Sequence, residues 1–256
     1  MIADIRTVMW KERQERSGQY ESLRDKVSNL VFPVIGLGVM AISPPLALGP
    51  GYVESPFSLL SSIVVPLMVV IMIIAESFAG ERERRTLATL LASRLPDRAI
   101  LFGKIAVPVL EALRITIISH LVSLAMSNVA HWNGKIMLYT PVMTLVNLAL
   151  GFLVVMLASC LGVLISLRAP TVQQATQNLT VALLSPIMLV LIPISMIGTV
   201  LPDSWKAAFE TFFKEVVMTA DFTQVIIVVV VALIVIDLGL LMAAMARFRR
   251  ARLILD

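Results

Sequence analysis

Long, unbroken apolar runs constrain this chain more than any other feature. From Phe57 to Phe78 it reads FSLLSSIVVPLMVVIMIIAESF, with Glu76 as the single charge, and comparable runs recur along the sequence. A bilayer's hydrocarbon core is about 30 Å thick and is crossed by about 20 apolar helical residues. Inside lipid every backbone N–H and C=O must be satisfied by the protein itself, so a spanning segment is a helix or part of a closed barrel. The runs are continuous and do not alternate between apolar and polar residues, which excludes barrel strands. Hydrophobic residues make up 58% of the chain and charged residues 15%, against about 25% charged in soluble domains. The expectation is an all-α integral membrane fold, one domain over residues 1–256. Its six spans are expected at about 27–48, 57–78, 99–128, 136–167, 172–200 and 222–246.

Residues 1–26 read as an amphipathic helix. Ile2, Ile5, Val8 and Met9 recur at helical spacing beside Trp10, while Asp4, Arg6, Lys11, Glu12, Arg13 and Arg16 take other positions. Such a helix lies along the membrane interface, or stands solvated beside it. The first apolar run starts only near Val27, behind a charged stretch too long for a signal peptide, so the first span is expected to stay as an uncleaved anchor. Pro33, Gly36 and Gly38 suggest a kink or close packing there. Pro44, Pro45, Gly49, Pro50, Gly51 and Pro56 predict a short rigid loop. Pro66, Pro108, Pro186 and Pro193 fall inside later spans. After Pro202, WKAAFETFFKEVV puts Trp205, Phe209, Phe212, Phe213, Val216 and Val217 on one helical face and Lys206, Glu210 and Lys214 on the other. It is too short and too charged to span, and predicts an external amphipathic helix between the fifth and sixth spans.

Basic residues orient the spans, because cytoplasmic flanks collect Lys and Arg. Seventeen fall on one side: six in the N-terminal segment, six from Arg82 to Lys104, Arg168 and the four C-terminal arginines. Three, Lys135, Lys206 and Lys214, fall on the other, and Arg114 lies within a span. Both termini and the interval after the second span are therefore expected in the cytoplasm. The pI near 9.5 follows from this asymmetry and does not point to nucleic acid; the expected surroundings are a lipid bilayer.

The interval Glu76 to Lys104, ESFAGERERRTLATLLASRLPDRAILFGK, is the long polar break in the pattern. Glu76, Glu81, Arg82, Glu83, Arg84, Arg85 and Arg94 carry charge, and Leu87, Leu90, Leu91 and Leu95 make a helical apolar stripe. A solvated amphipathic helix between two spans predicts a docking surface. The run resembles the signature of type 2 ABC exporter permeases, the ABC-2 membrane family. The matching positions are Glu76, the cluster Glu81-Arg82-Glu83, the step Arg85-Thr86-Leu87, the pair Leu90-Leu91, and Gly103-Lys104 opening the third span. The plan of interfacial helix, six spans, internal termini and external helix is similar as well. Two positions depart: Arg85 stands where the family commonly has Gly, and Ala88 where it commonly has an acidic residue.

The resemblance implies a coupling helix seated in a cleft of an ATPase, with Glu76, Glu81, Arg82, Glu83, Arg85, Thr86, Leu87, Leu90 and Leu91 as coupling residues. It also implies a dimer with a second permease copy or a paralogue, two ATPase subunits holding ATP and Mg, and a pathway along the first, second and fifth spans. The implied location is the cell membrane of a prokaryote. No G-x-x-x-x-G-K-[ST] phosphate loop occurs, since Gly103-Lys104 is followed by Ile105. The chain is thus expected to bind no cofactor itself and to be no enzyme, with ATP hydrolysed on a separate subunit.

Ionisable residues inside spans are costly and often functional. Glu111 and Arg114 lie three apart on one helical face, and Asp237 lies in the sixth span, where Arg114 or the tail arginines are candidates to reach it. They read as a structural ion pair, a gate or substrate contact, or a proton relay. From them comes an alternative function, a stand-alone secondary transporter. His120 falls on another face and reads as a packing residue. Gln173, Gln177 and Asn178, with Gln174, make the start of the fifth span polar. They suit either a cytoplasmic vestibule or interhelical hydrogen bonds. Two histidines on different elements and the single Cys160 do not make a metal site.

Overall fold

The computed structural model describes residues 1–18, 38–54, 57–197 and 222–248. These residues form helices: α1 (Ile2–Gly18), a π-helical turn (Gly38–Ile42), α2 (Ser43–Leu48), α3 (Pro50–Glu54), α4 (Phe57–Glu83), α5 (Leu87–Ala92), α6 (Asp97–Ala130), α7 (Pro141–Ser166), α8 (Val172–Ile197) and α9 (Phe222–Arg247). Four of them are long and apolar enough to cross a membrane, over residues 61–83, 97–130, 141–166 and 223–247. They match the second, third, fourth and sixth expected spans. The fifth corresponds to the 26-residue α8, whose first two turns are polar. Residues 27–37 of the expected first span, the external helix at 205–217, residues 19–26 and Arg249, Arg250 and Arg252 lie outside the described residues.

Three boundaries differ from the sequence reading. The loop expected after the first span is mostly helical, as α2 and α3, because its prolines sit where helices begin. Pro44 lies in the first turn of α2 and Pro50 starts α3, positions at which the missing N–H has no partner to lose. The second span runs five residues past Phe78 to Glu83, since Glu81, Arg82 and Glu83 find partners inside the protein. The fourth begins at Pro141, not near Ile136. Thr140 caps it by accepting from the Met143 amide, and the extended residues before it are held by Asn128. That side chain bonds both the Met137 amide, at 2.7 Å, and the Met137 carbonyl, at 2.9 Å.

α4 is the hub. It packs on α6, α7 and α8, while α9 lies on the outer side of α7 and α1 lies along α6. Of the most apolar stretch of each span, 72% is buried in α4 and 6% in α9, so α4 is the inner helix and α9 the outermost. Leu67, Val70, Ile71, Ile74 and Phe78 carry the core from the α4 side. Glycines let neighbours approach closely. A Cβ on Gly162 of α7 would come within 2.8 Å of the Ile74 side chain, and one on Gly103 of α6 within 2.6 Å of Val8 on α1. Small residues at such crossings replace the hydrophobic drive that lipid removes.

Gly162→Val should therefore destabilise the bundle by about 1–3 kcal/mol through overpacking, read as a lower melting temperature in detergent. Gly239→Ala, at a position with open space around it, should melt as wild type does. Equal melting of the two variants would refute this packing.

Candidate functional site

The charged interval begins inside the last turns of α4, and its residues turn inward. Glu81 is 5% exposed. Its carboxylate accepts from the Lys11 ammonium of α1 at 2.8 Å and from the Lys104 ammonium of α6 at 3.4 Å, and also from the Thr86 hydroxyl. Lys104, 1% exposed, donates further to the Glu12 carboxylate and to the Ser77 carbonyl, each at 2.5 Å, and lies 5.1 Å from the Phe78 ring centre. Gly103 makes this possible: the missing side chain lets α1 close on α6, so Glu12 reaches Lys104. Burial disfavours the charge on Lys11, but its hydrogen bonds and attraction to Glu81 and Glu15 outweigh that and raise its pKa above the usual lysine value. The carboxylates of Glu12, Glu15 and Glu81 lie within 4.8 Å of one another, and the two ammonium groups among them supply the balancing charge. Glu76, half-buried, lines a small polar cleft beside them with Ser77 and Arg84.

Arg82 and Glu83 fasten the corner between α7 and α8. The Arg82 guanidinium donates to the carbonyls of Leu167, at 2.7 Å, and Ala169, at 2.8 Å, just past the end of α7. The Glu83 carboxylate accepts from the Val172 amide at the start of α8, 2.8 Å away. A cation at a helix C-terminus and an anion at an N-terminus both suit the helix dipoles. Ser166 ties the same corner to α4: its hydroxyl accepts from the amides of Phe78 and Ala79 and donates to the Ala75 carbonyl.

The expected docking helix is short, the six residues of α5. The stripe is not an outward docking face: Leu90 and Leu91 are buried in the chain's own core and Leu87 and Leu95 pack against it. An apolar stripe on a helix tethered between two spans finds the nearest apolar surface, which here is the bundle. What faces outward is the opposite side: Glu83, Arg84, Arg85, Thr86, Ala88, Thr89 and Ala92. Arg85 has φ +58°, the left-handed conformation that glycine adopts without penalty. The departure at this position thus carries a backbone cost.

The intramembrane residues do not converge. Glu111 accepts from Arg13 of α1 at 3.3 Å, and Arg114, well exposed, stands 3.9 Å from its other oxygen. The Glu111–Arg114 pair therefore exists as a loose contact, with α1 as the nearer partner. Asp237 is buried at 7% exposure, and among the described residues neither of its oxygens finds a hydrogen-bond partner. Arg114 pairs with Glu111 and not with Asp237, and Arg247 lies ten residues further along α9, about 15 Å away at the helical rise. Gln173, Gln174, Gln177 and Asn178 are all exposed on α8 and join no other helix through their side chains among the described residues. His120 contacts the Ser62 hydroxyl at 3.1 Å and the Thr116 carbonyl at 3.0 Å and packs on Tyr139, as a packing residue should.

Sequence reasoning missed the parts of α1 that complete the cluster, Lys11, Glu12 and Glu15, and the corner serine, Ser166. The available signal was Lys104, a cation two turns into an apolar helix, which needs a carboxylate from elsewhere in the fold.

Lys104→Met should cost about 3–5 kcal/mol, because it leaves the partly buried Glu12 without its cation and buried Glu81 with Lys11 alone. Adding Glu12→Gln should recover part of that loss, and chemical or thermal unfolding in detergent measures both. Arg85→Gly should stabilise by about 1 kcal/mol, since glycine adopts this φ without strain. An unchanged or lower melting temperature would count against the left-handed assignment.

A comparison with curated proteins finds no match. A model of the ABC-2 type transporter family matches residues 4–210, a stretch that takes in α1, the ion cluster, the charged interval and the α7–α8 corner. With most of its length matched, this multi-pass membrane chain belongs to the ABC-2 type transporter family.

Proposed function

We propose that the chain is the membrane-spanning permease subunit of an ATP-driven ABC exporter. Membership in the family supports a permease subunit of an ABC transporter; the remaining assignments extend that reading. In it, two permease copies, or this chain and a paralogue, form the translocation path and bind two ATPase subunits. ATP and Mg sit on those subunits, and this chain hydrolyses nothing itself, in keeping with its lack of a phosphate loop. The basic residues favour a cytoplasmic location for the charged interval and both termini of a six-span subunit in a prokaryotic cell membrane.

One observation carries the coupling role. The interval exposes a small tip, Arg84 to Ala92, while its roots bind four other helices: Glu81 holds α1 and α6, and Arg82 and Glu83 hold the α7–α8 corner. A partner that moves the tip moves all of them together, which suits a two-state membrane dimer biased by ATP binding. In this reading the exposed Gln173, Gln177 and Asn178 line a vestibule or meet a second copy. The carrier alternative gains no geometric support, because Glu111, Arg114 and Asp237 do not form a common site.

Co-expression with the cognate ATPase tests the proposal. Thr89→Arg on the exposed tip should cut ATPase co-purification at least about tenfold, a difference of roughly 1.4 kcal/mol, with melting unchanged. Leu91→Glu should instead lower the melting temperature, because Leu91 is core. ATP-independent transport by this chain alone in proteoliposomes would overturn the assignment.

A further inference from the structure

At the charged end of the bundle two membrane helices leave a gap. The first turns of α6 and the last turns of α9 face each other across a groove of about 370 Å³, while the main contact of α9 is with α7. That volume falls in the range of small-ligand sites, roughly 300–1,000 Å³. Leu101 and Phe248, almost fully buried, make its floor, and Met242 and Met245 its wall. Phe248 is held by Phe78, with ring centres 5.2 Å apart, whereas methionine walls adapt to their occupant. The groove opens outward past Met242, which is 60% exposed.

Its rim carries an arginine whose charge is not taken up by the described residues. Arg98 lines the groove, is exposed, and makes no ion pair or hydrogen bond among the described residues. Lys11, Arg13, Arg82 and Lys104, by contrast, are all engaged within the protein. Asp97, also on the rim, already has a partner.

We propose that this groove binds one anionic phospholipid, its acyl chain along Leu101, Met242 and Met245 and its phosphate beside Arg98. The groove lies between the ends of two membrane helices, where lipid tails are the abundant apolar molecules. A zwitterionic headgroup carries its own ammonium and gains little from this arginine, whereas a net-negative one gains roughly fivefold in affinity. The inference requires only that α6 and α9 cross the membrane, so it stands or falls apart from ATP coupling.

The test uses the full chain purified in mild detergent, with dioleoyl phosphatidylglycerol or dioleoyl phosphatidylcholine added. Bound lipid is counted by native mass spectrometry and the melting temperature is followed in parallel. Wild type should retain the anionic lipid at least about fivefold better than the zwitterionic one, and melt higher with it. Arg98→Gln should lose most of that preference, Arg98→Lys should keep it, and Met245→Trp, which fills the groove, should retain less of both lipids. Arg168→Gln, an exposed arginine at the α7–α8 corner, should change nothing. Equal retention of the two lipids by wild type, or an unchanged preference in Arg98→Gln, would overturn the site. So would an equal loss in Arg168→Gln, which would show diffuse surface charge, or the same melting gain from inorganic phosphate, which would show a free-anion site.

Discussion

The buried Lys104 ammonium governs the charged end of this protein. An ammonium at 1% exposure persists only when its charge and its donors are matched. The matching groups come from two places in the chain: Glu12 on α1, and Ser77, the Phe78 ring and Glu81 on α4. Meeting that single requirement brings the N-terminal helix onto α6, carries α4 past the expected end of its span, and places the charged triplet where it can reach its other partners. Gly103 is the steric condition for the same arrangement.

From there the architecture follows from α4. Its apolar surface is covered by α6, α7 and α8, and its last turn fastens the α7–α8 corner through Arg82, Glu83 and Ser166. The charged triplet, which looks from its polarity like a surface for another protein, is largely an internal fastener. The outward part is the short stretch around Arg84, Arg85, Ala88 and Thr89. Such an arrangement makes a small tip mechanically continuous with most of the bundle, a useful property for a part that a separate motor would push.

Much was legible beforehand because lipid narrows the choices. Continuous apolar runs can only be helices, and the four strongest of them are membrane-length helices in the structure. His120 as a packing residue was also readable, since a lone histidine on an apolar helix finds nearby hydroxyl and carbonyl partners. The short helices α2 and α3 were misread as loop because proline ends a helix and begins one equally well, and only neighbouring geometry separates the two cases. Leu90 and Leu91 were read as an outward stripe because periodicity reports that a face is apolar but not what covers it. Glu111 was given Arg114 as its partner by spacing along one helix, whereas its closer partner, Arg13, comes from a distant part of the chain.

The sequence by itself determined the class of the protein, an all-helical membrane chain of the ABC-2 type, because transfer of the backbone into lipid and the spacing of a short charged motif are local properties. Tertiary structure alone decided the roles within that motif. Whether a carboxylate faces a partner protein or an ammonium of its own chain depends on groups far apart in sequence, Lys11 and Glu81 or Glu12 and Lys104. Burial makes that pairing obligatory, and only the packed bundle shows where the burial falls.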